Sequence, residues 1–177
     1  MGDYRPKIEH RVMRQLGHLA LLLLIALFQT ALSPSLWALR IDWVLVVVIC
    51  WTLLCGFAAG MRWALYGGLT LDLLSSLPIG SHLLALLVSV TAVAVLSDGL
   101  PRDNRIIPTG SVLLGSLLYA TCLGLVMSGI DRPVAWERYP LTIILPEALA
   151  DGAVALPVFL LLDRFNRRNR PDIGFEI

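Results

Sequence analysis

Three carboxylates stand where carboxylates are costly. Asp72 lies in the apolar run Trp63–Leu77, and Glu147 and Asp151 lie in the run Leu141–Phe165. Counted from Trp63, Asp72 falls roughly 14 Å along its helix, near the depth of a bilayer midplane. An ionisable group at that depth faces a partner or a wet cavity. Three roles fit it. Thr70, Ser75, Ser76 or another helix could satisfy the carboxylate inside the bundle. It could meet a partner protein, or it could handle a proton or an ion. Local satisfaction has first claim, because intramembrane polar groups commonly find neighbours.

Glu147 and Asp151 are four residues apart and share one helical face. Pro146 and Pro157 bracket them and free backbone carbonyls. Such a face suits a cation or proton path. The plainer reading is a polar seam packed against Asp72, Gln29 or an Arg of a neighbouring helix. The seam is favoured, because no basic residue lies mid-span to complete a relay.

Other chemistry finds little support. His10, His18 and His82 are scattered without metal-ligand spacing. Cys50, Cys55 and Cys122 sit in apolar runs, match no metal motif and are odd in number, which marks them as small core residues. There is no phosphate-binding glycine loop, and no Ser–His–Asp set can be inferred. No catalytic residue, metal or cofactor is expected, and the chain reads as a non-enzyme.

The elements that must hold these residues follow from composition. Hydrophobic residues make up 57% of the 177 and charged residues only 15%, against about 25% charged in soluble domains. The apolar residues come in runs of membrane-spanning length, which excludes a soluble fold. A net charge of +1 gives no reason to expect nucleic acid. The pattern predicts an all-α membrane protein with six transmembrane helices. Their spans are about 17–39, 43–59, 63–77, 82–97, 107–130 and 141–165. Residues 1–16 form a cytoplasmic segment, either an interfacial helix carrying Ile8, Val12 and Leu16 or an unstructured basic tail. Residues 166–177 form a cytoplasmic tail. The first span is too long for a signal-peptide core and is followed at once by others, so it is retained. Pro34 should kink or end its helix.

Polar turns are expected at Arg40–Asp42 and Gly60–Arg62, and a tight turn at Pro78–Gly80. Charged loops are expected at Asp98–Arg105 and Asp131–Pro140, with Trp136 and Tyr139 as interfacial anchors. With the N-terminus inside, eleven of the 14 Lys and Arg residues fall on cytoplasmic segments. This places both termini in the cytoplasm. The loops are too short to fold into a domain, so function must reside in helix faces or tails. Small-residue pairs that permit close helix approach are Gly56/Gly60, Ser111/Gly115 and Ala120/Gly124.

The string GGLTLDLLSSLPIG, Gly67–Gly80, resembles the signature stretch of the bacterial rod shape-determining protein MreD family. There a Gly-rich helix carries an Asp and ends in a small-residue turn. RIDWVLVVVICW (Arg40–Trp51), Gln29, and the Pro157 run followed by Arg164, Arg167 and Arg168 also look like that family, in order along nearly the whole chain. Glu147 and Asp151 make the sixth span more acidic than the family pattern, and the Asp98–Arg105 loop matches no motif of it. The resemblance implies an inner-membrane scaffold of the cell-elongation machinery. It would bind MreC and act beside RodA, the elongation-specific class B penicillin-binding protein and cytoplasmic MreB. Asp72, Gly67, Gly68, Pro78 and Gly80 become candidates for partner binding or for shaping the bundle, as do Glu147 and Asp151. The family's fold resembles the substrate-binding subunits of energy-coupling-factor transporters. That likeness supplies the alternative, a small-molecule-binding membrane subunit, which needs a cavity open to the outer face beside the acids.

Overall fold

Val44 to Cys50 are seven consecutive buried residues, apolar on every side. A helix with no polar face belongs at the centre of a bundle, and α2 (Trp43–Cys55) occupies it. The computed structural model describes residues 8–36, 40–98, 106–130 and 136–168. Around α2 are α1 (Ile8–Leu36), α3 (Phe57–Leu74), α4 (Ser81–Ser97), α5 (Ile106–Gly129) and α6 (Leu145–Arg168). A wide π-helical turn, Pro140–Ile144, runs directly into α6. All five surrounding helices touch α2. Consecutive helices from α3 to α6 pack side by side, and α1 lies on α2 and α3. The described residues contain no strand.

The outside is as apolar as the inside. Leu24, Leu73, Leu84, Val95 and Leu161 each expose between 60% and 75% of their surface. In water such a coat would drive aggregation; against lipid it costs nothing. Two stretches, Ile106–Gly129 and Pro140–Arg167, are long and apolar enough to cross a bilayer. Gly17–Ala31, Trp43–Cys55 and Ser81–Ser97 are shorter apolar helices.

Several boundaries differ from the sequence reading. The turn expected at Gly60–Arg62 lies four residues earlier, at Gly56, where φ is +86°. A left-handed backbone is accessible to glycine without Cβ strain, so α2 stops at Cys55 and α3 starts at Phe57. Gly56 is therefore the break between two helices and no half of a packing pair within one. Gly60, inside α3, does pack closely, against the Thr52 side chain of α2. Asp72 sits two residues from the end of α3, and through His82 it is level with Tyr119 in the middle of α5. α1 runs two residues past Pro34. Cys50 is buried as expected, but Cys55, at the break, is exposed.

The expected interfacial helix becomes continuous with α1 from Ile8 onward, while residues 1–7 lie outside the described set. Residues 99–105, 131–135 and the tail 169–177 also lie outside it.

The glycines Gly67 and Gly68 let three helices close up. A Cβ on Gly67 would stand 2.8 Å from Val44 of α2, and one on Gly68 would stand 2.5 Å from the Leu83 Cα of α4. Gly115 of α5 lies tight against Ile49 of α2. Ala120 is buried and Ser111 half-buried on the same helix. Gly124 serves a different surface: the Trp136 and Tyr139 rings cover it, 5.8 Å apart in edge-on contact. The Trp136 indole donates to Ser128 Oγ at 3.0 Å.

Candidate functional site: two capped helix starts joined by α5

α2 and α4 both begin at the same end of the bundle, and neither has a side-chain cap from its own N-cap residue. A helix start leaves backbone N–H groups without intrahelical acceptors, and orphaned donors are costly where water is scarce. The chain supplies acceptors from other helices.

At α4 the acceptor is Asp72. Its Oδ2 accepts the Gly80 N–H at 2.9 Å and the Leu83 N–H at 3.3 Å, and its Oδ1 accepts the His82 N–H at 2.8 Å. Asp72 is 3% exposed, so the carboxylate is enclosed by the helix start it caps. Local sequence makes this geometry possible. Gly80, at φ +101°, turns the chain back on itself. Ser81 N–H and Oγ both donate to the Pro78 carbonyl, at 3.1 and 2.7 Å. A carboxylate at a helix N-terminus also meets the positive end of the helix dipole.

At α2 the acceptors come from α1 and α6. Asp151 Oδ1 accepts the Asp42 N–H at 2.8 Å, and Gln29 Oε1 accepts the Val44 N–H at 3.2 Å. The Gln29 amide donates to Asp42 Oδ1 at 2.8 Å, and Ser116 Oγ donates to Asp151 Oδ2 at 2.6 Å. Asp151 is fully buried and its two oxygens are both engaged.

α5 joins the two caps. Ser116 and Tyr119 are three residues apart on one helical face. Ser116 holds Asp151; the Tyr119 hydroxyl shares a 2.6 Å hydrogen bond with His82 Nδ1 at the start of α4. Tyr119 stands within electrostatic reach of Asp42, Asp72 and Asp151 at once. All six helices thus contribute to one polar layer, at the level where α2 and α4 start and midway along α5. Among the described residues no buried side-chain nitrogen or oxygen lacks a partner.

The expected candidates distribute unevenly over this layer. Asp72 and Asp151 belong to it but do not touch each other. Ser75 Oγ donates to the Asp72 backbone carbonyl and accepts the Leu77 N–H, without touching the carboxylate, and the Thr70 hydroxyl bonds back to Gly67. Glu147 is half-buried and has no hydrogen-bond partner among the described residues; Asp42 and Arg40 are the charges that bear on it. Pro78 is exposed and Gly80 half-buried at the α3–α4 turn. Sequence reasoning missed Asp42 as more than a turn residue, and it missed Ser116, Tyr119 and His82. The three-residue spacing of Ser116 and Tyr119 in an apolar helix was the available signal.

A cavity of about 330 Å³ lies at the opposite end. It is half-open and lined chiefly by Leu53, Phe57, Val95, Ile107 and Phe159, with Asp98 at its edge. None of the three carboxylates lines it. No group of His, Cys, Asp or Glu that could hold a metal occurs among the described residues.

With this arrangement in place, comparison with known families is informative. A family described as rod shape-determining protein MreD matches residues 11–165. The chain belongs to that family. The match covers α1 through most of α6, and so the whole capped layer. It makes the chain a rod-shape-determining membrane protein. No curated protein and no solved structure matches the chain.

Proposed function

We propose that the chain is a non-enzymatic scaffold of the bacterial cell-elongation complex. It spans the inner membrane six times with both termini in the cytoplasm, and it binds MreC within the bilayer. Through MreC it positions or regulates the peptidoglycan synthase pair of RodA and the elongation-specific class B penicillin-binding protein, with MreB on the cytoplasmic side.

One observation carries the scaffold reading. The buried carboxylates, Asp72 and Asp151, are both engaged by helix starts, so each serves as part of a brace rather than as a group free for a reaction or a transported ion. A satisfied polar layer specifies one arrangement of helices, because any slippage orphans several groups together. What remains for partners is the outer surface of the helices. The small-molecule alternative needs a cavity beside the acids, and the 330 Å³ cavity lies away from them.

The test is co-purification. The full chain and MreC, co-expressed and extracted in mild detergent, should elute together. Elution apart, under conditions that keep other membrane complexes intact, refutes the proposal.

A further inference from the structure

The cavity at the end away from the polar layer forms where four helix termini meet. α2 ends and α3 begins at Gly56, while α4 ends at Ser97 and α5 begins at Ile106. A Cβ on Gly56 would meet nothing within 4 Å, so the break itself leaves space. Thr52 and Pro108, both buried, form the floor. Phe57 and Val95 also line the cavity, yet they are 50% and 68% exposed. They belong to the apolar coat that faces lipid, so the cavity opens sideways into the bilayer.

Its polar side chains are unequally engaged. Thr52 Oγ1 donates to the Val48 carbonyl at 2.7 Å, and Ser97 Oγ donates to the Val93 carbonyl at 2.6 Å. Both hydroxyls are spent within their own helices. Asp98, exposed at the mouth, has no hydrogen-bond or ion partner among the described residues. Two helices end here and two begin, so their dipoles oppose one another and the carboxylate sets the sign. The result is an apolar interior with one negative charge at its mouth.

Such a cavity does not stay empty in a bilayer. An unfilled apolar space forfeits the contacts of its lining, and water does not replace them without polar partners. Acyl chains are the filler at hand on the open side. We propose that the cavity holds an acyl chain of one phospholipid whose ammonium headgroup pairs with Asp98. At about 330 Å³ it lies at the small end of ligand sites, so it takes a length of chain and leaves the head at the mouth. A headgroup without a cation brings only its phosphate charge to the carboxylate and is disfavoured. The site makes no use of MreC, so its failure would leave the scaffold reading standing.

The experiment uses the full chain, purified in mild detergent and offered phosphatidylethanolamine or phosphatidylglycerol with the same acyl chains. Native mass spectrometry counts the lipid that stays bound. Wild type should hold one phosphatidylethanolamine, in roughly two- to fivefold preference over phosphatidylglycerol, the range for an exposed ion pair. Asp98→Asn should erase that preference. Val95→Phe fills the mouth from an exposed position and should lose the bound lipid of either kind. Val88→Phe, about two turns earlier on the same face of α4 and also exposed, is the control and should bind as wild type. All three variants change exposed positions and should melt as wild type, so a loss of lipid is not a loss of fold. Wild type that retains neither lipid, or both equally, overturns the proposal, as does a preference that survives in Asp98→Asn. Unchanged retention in Val95→Phe, or equal loss in Val88→Phe, places the lipid elsewhere on the coat and overturns the site.

Discussion

Replacing Asp72 by alanine removes one side chain and orphans three backbone donors. The 2.8 and 2.9 Å bonds to His82 and Gly80 are strong; the 3.3 Å bond to Leu83 is marginal. A donor left without an acceptor away from water costs about 1–3 kcal/mol. Gly80 and His82 are half-buried, so water recovers part of this. The loss for Asp72→Ala is therefore about 2–4 kcal/mol. Asparagine keeps one carbonyl oxygen and the shape. It gives up one acceptor and the attraction of a full charge for the helix dipole, a loss of about 1–2 kcal/mol. Leucine keeps bulk without acceptors and should be no better than alanine. Thermal unfolding in detergent, followed by tryptophan fluorescence, ranks the four chains. Amide exchange at Gly80, His82 and Leu83 localises the effect. Protection there should fall about 30-fold or more in Asp72→Ala, the equivalent of 2 kcal/mol. An Asp72→Ala chain that melts at the wild-type temperature with those amides still protected refutes the capping argument. Asparagine failing as badly as leucine would show that charge, rather than hydrogen bonding, holds the turn.

Other consequences can be measured in the same way. Gly68→Ala puts a methyl 2.5 Å from the Leu83 backbone and should cost about 1–3 kcal/mol by overpacking, seen as a lower melting temperature. Gly110→Ala, where a Cβ meets nothing within 4 Å, should melt as wild type or higher. Asp151→Asn keeps an acceptor for the Asp42 N–H and should cost about 1 kcal/mol, whereas Asp151→Leu strands that N–H and the Ser116 hydroxyl and should cost about 2–4 kcal/mol; equal damage would mean that charge dominates. Arg167→Ala breaks a 2.9 Å exposed pair with Asp163 and should leave the melting temperature unchanged.

Much of the architecture was legible because hydrophobic length is a strong signal. The starts of α2, α4 and α5 fall within one residue of their expected positions, and the π-helical turn that leads into α6 starts one residue before the expected 141. The α2–α3 boundary was misplaced because Arg62 drew the turn toward itself. Arg62 instead lies on an exposed side of α3, bonded to the Ala58 carbonyl, and a glycine at positive φ decided the break. Of the seam expected at Glu147 and Asp151, Asp151 meets the start of α2, and Gln29 reaches that same start from α1 without touching either acid. The intermediary, Asp42, was not foreseen, because it contributes its backbone N–H to Asp151 as well as its side chain to Gln29. Sequence patterns report which side chains are polar; they carry no record of which backbone donors lack an acceptor.

The two caps differ in how far along the chain their partners lie. Asp72 meets its donors within 11 residues, so the α3–α4 hairpin can close as soon as it is made. The start of α2 reaches Asp151 across 109 residues. A chain synthesised from its N-terminus places α1 and α2 long before α6 exists. The central helix then waits with its first donor unanswered until the last helix arrives. α6 is in this sense a latch: truncating the chain before Asp151 leaves the earliest-made hairpin unlocked, and the order of synthesis becomes the order in which the bundle commits to its shape.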